Sequence, residues 1–205
     1  MPKKKISKSK KKKVQKPFKR LKNQVTKLLD EAKVKYSVIE HKLIYTAHDA
    51  AKTTKKKLGE IAKVVLVKVE GPSPVIAKER ERLKQSSKRL PRSLKGSLAM
   101  TKYFTLTVLP AGKYVDLKGI KKALKAKKVS LAKEKDIAKY LKTKVGLLHP
   151  FGQLFKIPTL LDKGFSKSKK MIASAGSFTH SAELAMKDFE RLAQPTKGVF
   201  SRNKK

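Results

Sequence analysis

Two short stretches of this sequence carry residue types that could do chemistry. The first is Lys63, a charge at the mouth of the run Val64-Val65-Leu66-Val67-Lys68-Val69, where no amphipathic alternation accounts for it. The second is the loop Gly146-Leu147-Leu148-His149-Pro150-Phe151-Gly152. Its glycines permit positive φ and its proline fixes φ, so the loop can aim backbone amides rigidly. A plainer account stands beside each. Lys63 fits a strand-end lysine whose stem lies on apolar neighbours while its ammonium reaches water, and the loop fits ordinary turn chemistry. Much other chemistry is excluded: there is no GxSxG elbow, no P-loop and no GxGxxG after a strand pattern. With no cysteine there is no thiol nucleophile, disulfide or thiolate metal site. His41, His48, His149 and His180 lack the i, i+4 spacing of a zinc helix, so no metal or other cofactor is expected.

The elements that must position these residues follow from periodicity. Phe18, Leu21, Val25, Leu28, Leu29 and Ala32 recur at helical spacing and predict an amphipathic helix over about 18–33. Val34, Tyr36 and Val38 predict a short strand over 34–39. Thr46 is placed to cap a helix, with Asp49 in its first turn and Gly59 available to end it. Residues 64–69 are β-branched and nearly continuous, as in a strand buried on both faces, and Tyr103 to Leu109 supplies a partner. Asp116 caps a helix carrying Leu117, Ile120 and Leu124, followed by a brief strand over 129–131 and a helix over 134–141. Strands over 159–161 and 171–174 and a helix over 186–193 complete the pattern. Strands alternating with helices predict one mixed α/β domain, a sheet dressed with helices.

Charge separates that domain from its appendages. The chain of 205 residues sets 54 Lys plus Arg against 15 acids, a formal charge of +39, while its 39% hydrophobic content is enough for a core. Such an excess attracts polyanions, nucleic acid foremost. Residues 1–22 hold eleven lysines and Arg20 with no acid before Asp30, which reads as a disordered basic arm over 1–17. A second basic segment sets nine Lys or Arg between Lys78 and Lys102 against Glu79 and Glu81, and reads as an excursion at about 72–102 between two strands. The domain itself is assigned to 18–195, with 196–205 a basic C-terminal tail. No apolar run is long enough to span a bilayer or serve as a secretory signal, so a soluble cytoplasmic protein without a membrane partner is expected.

In order, "HKLIYTAHDAA", "IAKVVLVKV", "TLTVLPAGKYVDLKGIKKALKAKKVSLA", "GLLHPFG", "IPTLLD" and "SAGS" resemble the YbaK and ProX family of aminoacyl-tRNA deacylases. That family includes the editing domain inserted in many bacterial prolyl-tRNA synthetases. The match spans roughly residues 23–195 apart from the excursion. It implies a central mixed, partly barrel-like sheet flanked by helices. It also implies hydrolysis of the ester that joins a mischarged small amino acid to tRNA, with tRNA(Pro) the leading carrier. Carried over position by position, the family's essential lysine falls on Lys63 and its GxxxP motif on Gly146 and Pro150. His149, Phe151, Gly152, Ser174 and Gly176 are then expected to bind substrate, with Asp162 and Thr46 in structural or supporting roles. The family has no catalytic base, and water attack helped by the substrate's own ribose hydroxyl is implied. The chain departs from the cysteine-specific branch, where a tyrosine and an acid are expected near Ile39 and Ser181.

The partners so implied are the aminoacylated 3′ end of tRNA and, for a factor acting in trans, prolyl-tRNA synthetase or the ribosome. The alternative is a non-catalytic RNA- or ribosome-binding protein on the same fold, which the charge alone would explain. If the arm grips tRNA through phosphates, deleting residues 1–17 weakens tRNA binding and flattens its salt dependence while turnover at saturating substrate stays nearly unchanged. Binding isotherms at several salt concentrations check this, and an unchanged slope would remove the tether.

Overall fold

The computed structural model describes residues 23–72 and 100–203; the arm at 1–17 and residues 73–99 of the excursion lie outside the described residues. The first helix, α1 (Gln24–Glu31), starts where Asn23 can close it: the Asn23 side chain accepts from the Thr26 amide at 3.0 Å and Thr26 Oγ1 accepts from the Asn23 amide at 3.1 Å. The expected start at residue 18 lies outside the described residues. Strand β1 (Tyr36–Glu40) follows. Thr46 caps α2 (Ala47–Thr54) as expected, but the helix ends at Lys55 and not at Gly59. Lys55 adopts the left-handed conformation, and its amide and that of Lys56 both donate to the Ala51 carbonyl, so the last turn is closed four residues early.

The frame of the molecule is the hairpin of β2 (Ala62–Pro72) and β3 (Met100–Pro110), antiparallel in register from Ala62↔Pro110 to Pro72↔Met100. This ladder takes in both ends of the expected excursion, leaving only 73–99 between the strands. Side chains alternate across it. Ala62, Val64 and Leu66 join one set of core residues, with Val108, Phe151 and Phe189, and with Ile137 and Leu141. Val65, Val67 and Val69 join another, with Ile120, Leu160 and Phe200. Burial on both faces is thus what the β-branched run required, with Lys68 the exposed exception.

After β4 (Tyr114–Val115), Asp116 caps α3 (Leu117–Ala123), its side chain accepting from the Lys118 amide. Then come β5 (Lys128–Leu131), α4 (Glu134–Leu141), β6 (Thr159–Asp162), β7 (Lys170–Ser174), β8 (His180–Ala185) and α5 (Met186–Ala193). The described strands form a five-stranded mixed sheet ordered β5-β2-β3-β6-β9 and a three-stranded antiparallel sheet ordered β1-β8-β7, where β9 is Thr196–Gly198. β10 (Ser201–Arg202) pairs with β4. The two larger sheets touch through one bridge, Ile61↔Ile172. The mixed sheet flanked by helices is as expected; it is open and not closed into a barrel.

Two differences come from pairing between residues distant in sequence. β8 is the centre of its sheet, yet His180-Ser181-Ala182-Glu183-Leu184-Ala185 lacks the β-branched residues that announce a strand, and ladders to β1 and β7 on both sides hold it. The expected tail is also partly folded: β9, Phe200 and β10 complete the domain, and Phe200 is 0% exposed. Asp162 anchors this segment. It accepts from the Phe200 amide at 2.7 Å, from Ser201 Oγ at 2.8 Å and from the Gly164 amide at 2.7 Å. A buried carboxylate that satisfies three donors is costly to remove, because the donors are left unpaired. Asp162→Ala is therefore expected to lower stability by about 2–4 kcal/mol in urea denaturation. A change under about 0.5 kcal/mol would contradict the anchoring role.

Candidate active site

The outer edge of β2 is only partly covered. β5 pairs with Val67–Glu70, the Ala132 amide reaches the Leu66 carbonyl at 3.0 Å, and at the other end the Ile172 amide reaches the Glu60 carbonyl at 2.8 Å. Alternate residues of an antiparallel strand direct their peptide groups to opposite sides. Ile61 accepts from the Ala111 amide on the β3 side, so the odd-numbered residues of β2 serve that ladder and Val64 faces the uncovered edge. A cleft of about 460 Å³ opens there. Its lining includes the consecutive residues Ile61 to Leu66, which a sheet face could not supply but a strand edge can.

Four of the residues singled out in the sequence border this cleft: Lys63, Gly146, Thr46 and Ser174. Lys63 is half-buried, and burial pulls its ammonium below the ordinary lysine range. The ammonium donates to the Lys113 carbonyl and lies 5.1 Å from the centre of the Tyr114 ring. Lys63 thus ties β2 to the turn between β3 and β4. Gly146 has φ +88°, and a Cβ there would stand 3.1 Å from Phe178 Cε1 and 3.4 Å from the Tyr45 carbonyl oxygen. The glycine is required by both conformation and space. Thr46 Oγ1 donates to Asp49 Oδ2 at 2.7 Å and accepts from the Asp49 amide. Ser174 ends β7, and its Oγ accepts from the Gly176 amide at 3.2 Å.

The rest of the expected set lies elsewhere. The loop is a partition: Gly146 and Leu148 border the cleft, whereas Leu147 and His149 border a second cavity beside α1 and α4, which Gly176 also lines. His149 is 5% exposed and stacked on Phe155 with ring centres 4.3 Å apart. Burial holds its pKa down to about 4. Pro150, Phe151 and Gly152 are buried and border neither cavity. Phe151 meets Phe189 edge to face at 5.7 Å. A Cβ on Gly152 would fall 2.4 Å from the Ile157 carbonyl oxygen, and the Gly152 amide donates to Thr159 Oγ1. These residues brace the loop from behind, because the chain turns into the core directly after His149. Asp162 anchors the C-terminal strands and does not line the cleft.

Sequence reasoning passed over several residues that do line it. Glu134 is the one carboxylate on the cleft among the described residues. Tyr45 and Phe178 border it with ring centres 5.4 Å apart, and Tyr45 is 64% exposed. Ser177 adds a hydroxyl, as does Ser181, which the sequence reading named only as a departure from the cysteine-specific branch. Glu134 had a signal only as a helix start, and Tyr45 lies more than 130 positions from Ser177, Phe178 and Ser181, with no local pattern to join them. Glu183, on the same strand as Ser181, pairs with Lys170 of β7 and with Lys56 just beyond α2, at 2.7 Å each. The hydrogen bonds from Lys170 and then Lys56 hold its carboxyl below the ordinary range.

The aminoacyl-tRNA editing domain model matches residues 41–192. The chain belongs to that family. As an editing domain it resembles solved structures by fold. One is the hypothetical protein APE2540, 14% identical with TM-score 0.67 over 88% of this chain and 100% of the other. Another is described as a candidate trans-editing enzyme for prolyl tRNA synthetase, 15% identical with TM-score 0.62 over 89% of this chain and 100% of the other. No curated protein matches the sequence. Among the described residues, no helix is long and apolar enough to cross a membrane.

Gly146→Ala in this editing domain is expected to cost about 1–2 kcal/mol, since an L side chain must hold a left-handed backbone. Gly59→Ala, with open space around it, is expected to be neutral or slightly stabilising. Urea denaturation of the two variants side by side checks the contrast.

Proposed function

We propose that the protein is a deacylase that hydrolyses the ester between a mischarged small amino acid and the terminal ribose of tRNA, with tRNA(Pro) the leading carrier and the cytoplasm its place of action. The observation that carries this reading is the meeting of Lys63 and Gly146, 83 positions apart in the sequence, on one cleft in a chain of the editing-domain family. Water attacks the ester carbonyl carbon, the carbonyl oxygen gains negative charge, and the carbon to ribose-oxygen bond then breaks. The neighbouring free ribose hydroxyl carries the proton from the attacking water to the leaving oxygen, so no side chain need act as base. Preorganised donors lower the barrier by stabilising the oxyanion. Within the loop, the Leu147 amide is used by the Lys144 carbonyl and the Gly152 amide by Thr159, which leaves those of Gly146 and Leu148 beside the cleft. Lys63 supplies positive charge for the oxyanion or the terminal phosphate. Glu134 suits the substrate ammonium, and Tyr45 and Phe178 offer a stacking surface for the terminal adenine. The surrounding excess of cations draws in the tRNA.

One observation favours the second reading, a non-catalytic RNA- or ribosome-binding protein: the Lys63 ammonium is engaged by the Lys113 carbonyl, a tie that serves the fold whether or not substrate is turned over. A single comparison separates the two. tRNA(Pro) charged with alanine, cysteine, serine or proline is incubated with the wild type and with Lys63→Ala. Wild-type release of one or more noncognate amino acids, with kcat/KM reduced about a hundredfold or more in the variant, is the expected outcome. Release no faster than buffer by the wild type, on this and other tRNA carriers, would hand the case to the binding protein.

A further inference from the structure

The apolar end of the cleft is formed by Ile44, Ala47, Ala50, Ile61 and Ile172. One polar side chain at this end has no part in the mechanism above. Ser181 is 6% exposed, lies between Ile39 of β1 and Ser174 of β7 in the ladder, and borders the cleft. Its Oγ is 2.9 Å from Nε2 of His41. The other ring nitrogen, Nδ1, is 3.0 Å from the Lys42 carbonyl oxygen. A carbonyl only accepts, so Nδ1 carries the hydrogen, and in the neutral ring Nε2 is left with a lone pair. The Ser181 hydroxyl therefore donates to His41. What remains for the cleft is oxygen lone pairs, a buried acceptor whose direction the histidine sets.

The chemistry of the ligand follows from that acceptor and its surroundings. An ammonium group would have to shed its water among alkyl side chains with only a neutral oxygen in return, a poor exchange. Glu134, on α4, is the better partner for that charge. A methyl group would leave the lone pairs unpaired in a dry site. A neutral hydroxyl satisfies them without importing charge. Resting on the deacylase reading of the same cleft, we propose that the site selects a small amino acid bearing a side-chain hydroxyl, serine or threonine. Ser181 accepts the hydrogen bond from that hydroxyl, and His41 is the positioning residue that keeps Ser181 an acceptor. Sites built to pair a substrate hydroxyl discriminate against the analogue that lacks it, because the protein group is then left unsatisfied.

The test uses two stable analogues of the tRNA terminus, 3′-amino-3′-deoxyadenosine carrying an L-seryl or an L-alanyl amide, titrated calorimetrically into the full chain. Hydrolysis of seryl- and alanyl-tRNA(Pro) is measured in parallel. The wild type is expected to bind the seryl analogue about ten- to a hundredfold more tightly than the alanyl one. That ratio falls to near unity in Ser181→Ala and by a smaller factor in His41→Phe. Affinities for two ligands on one preparation share the same folded fraction, so a partly unfolded variant still reports a valid ratio. A wild-type ratio near one, failure of both analogues to bind, or an unchanged ratio in Ser181→Ala overturns the proposal. Should the wild type hydrolyse neither ester while the binding ratio and its loss in Ser181→Ala hold, the deacylase reading falls and the hydroxyl-selective site stands.

Discussion

The mismatch in length between β2 and the strands that cover its outer edge governs this structure. β2 runs for eleven residues and is paired along its whole length by β3, but on the other side β5 covers only Val67–Glu70 and β7 only touches Ile61. A bare strand edge presents unpaired peptide groups, which proteins ordinarily cover or blunt. Here the gap is walled by α2, the Gly146 loop, the start of α4 and the three-stranded sheet, and it becomes a cleft with one polar backbone edge and largely apolar sides. The peptide groups of Val64 are held rigid by the ladder behind them. A site built on a strand edge needs little further ordering when a ligand arrives.

The bracing behind the cleft explains why residues that do not line it still matter. Phe151 and Gly152 fix the exit of the loop by packing on Phe189 and against the Ile157 to Thr159 segment, so the position of Gly146 is set from the core side. His149 is held neutral in its apolar stack, as burial demands of an unpaired imidazole. Asp162 performs a parallel task at the far end of the mixed sheet, tying down the last strands with three hydrogen bonds. These residues hold geometry, and the cleft lies on the other side of the partition.

Charge acts on a different scale. The excess of +39 is far more than a cleft of this size could use, and most of the lysines among the described residues are exposed. Such a field raises the local concentration of a polyanion without choosing among sequences. Discrimination must then come from the few groups on the cleft itself. Its lining combines the small apolar residues Ala47, Ala50 and Ala62 with the hydroxyls of Ser177 and Ser181.

Much of the architecture was legible without coordinates. The helices at 134–141 and 186–193, the caps at Thr46 and Asp116, and the β-branched strand were written in local pattern, because capping and amphipathic burial act between residues close in sequence. Lys63 and the Gly146 loop could be noticed in the sequence, but each also fits a strand-end lysine or an ordinary turn, and the family resemblance is what set them apart. What the chain alone did not reveal is whatever depends on pairing across long separations. β8 is a strand because β1 and β7 flank it, Phe200 is core because Asp162 captures its amide, and the lysine of β2 and the glycine of the loop share a cleft because the outer ladder stops short. The Ser181 and His41 pair is of the same kind: a hydrogen bond across 140 positions decides whether a hydroxyl donates or accepts, and no local pattern encodes it. The amino-acid sequence by itself determined the elements and the polyanion-seeking field; only the tertiary structure decided which residues of the loop border the cleft, since that depends on where a strand edge is left uncovered.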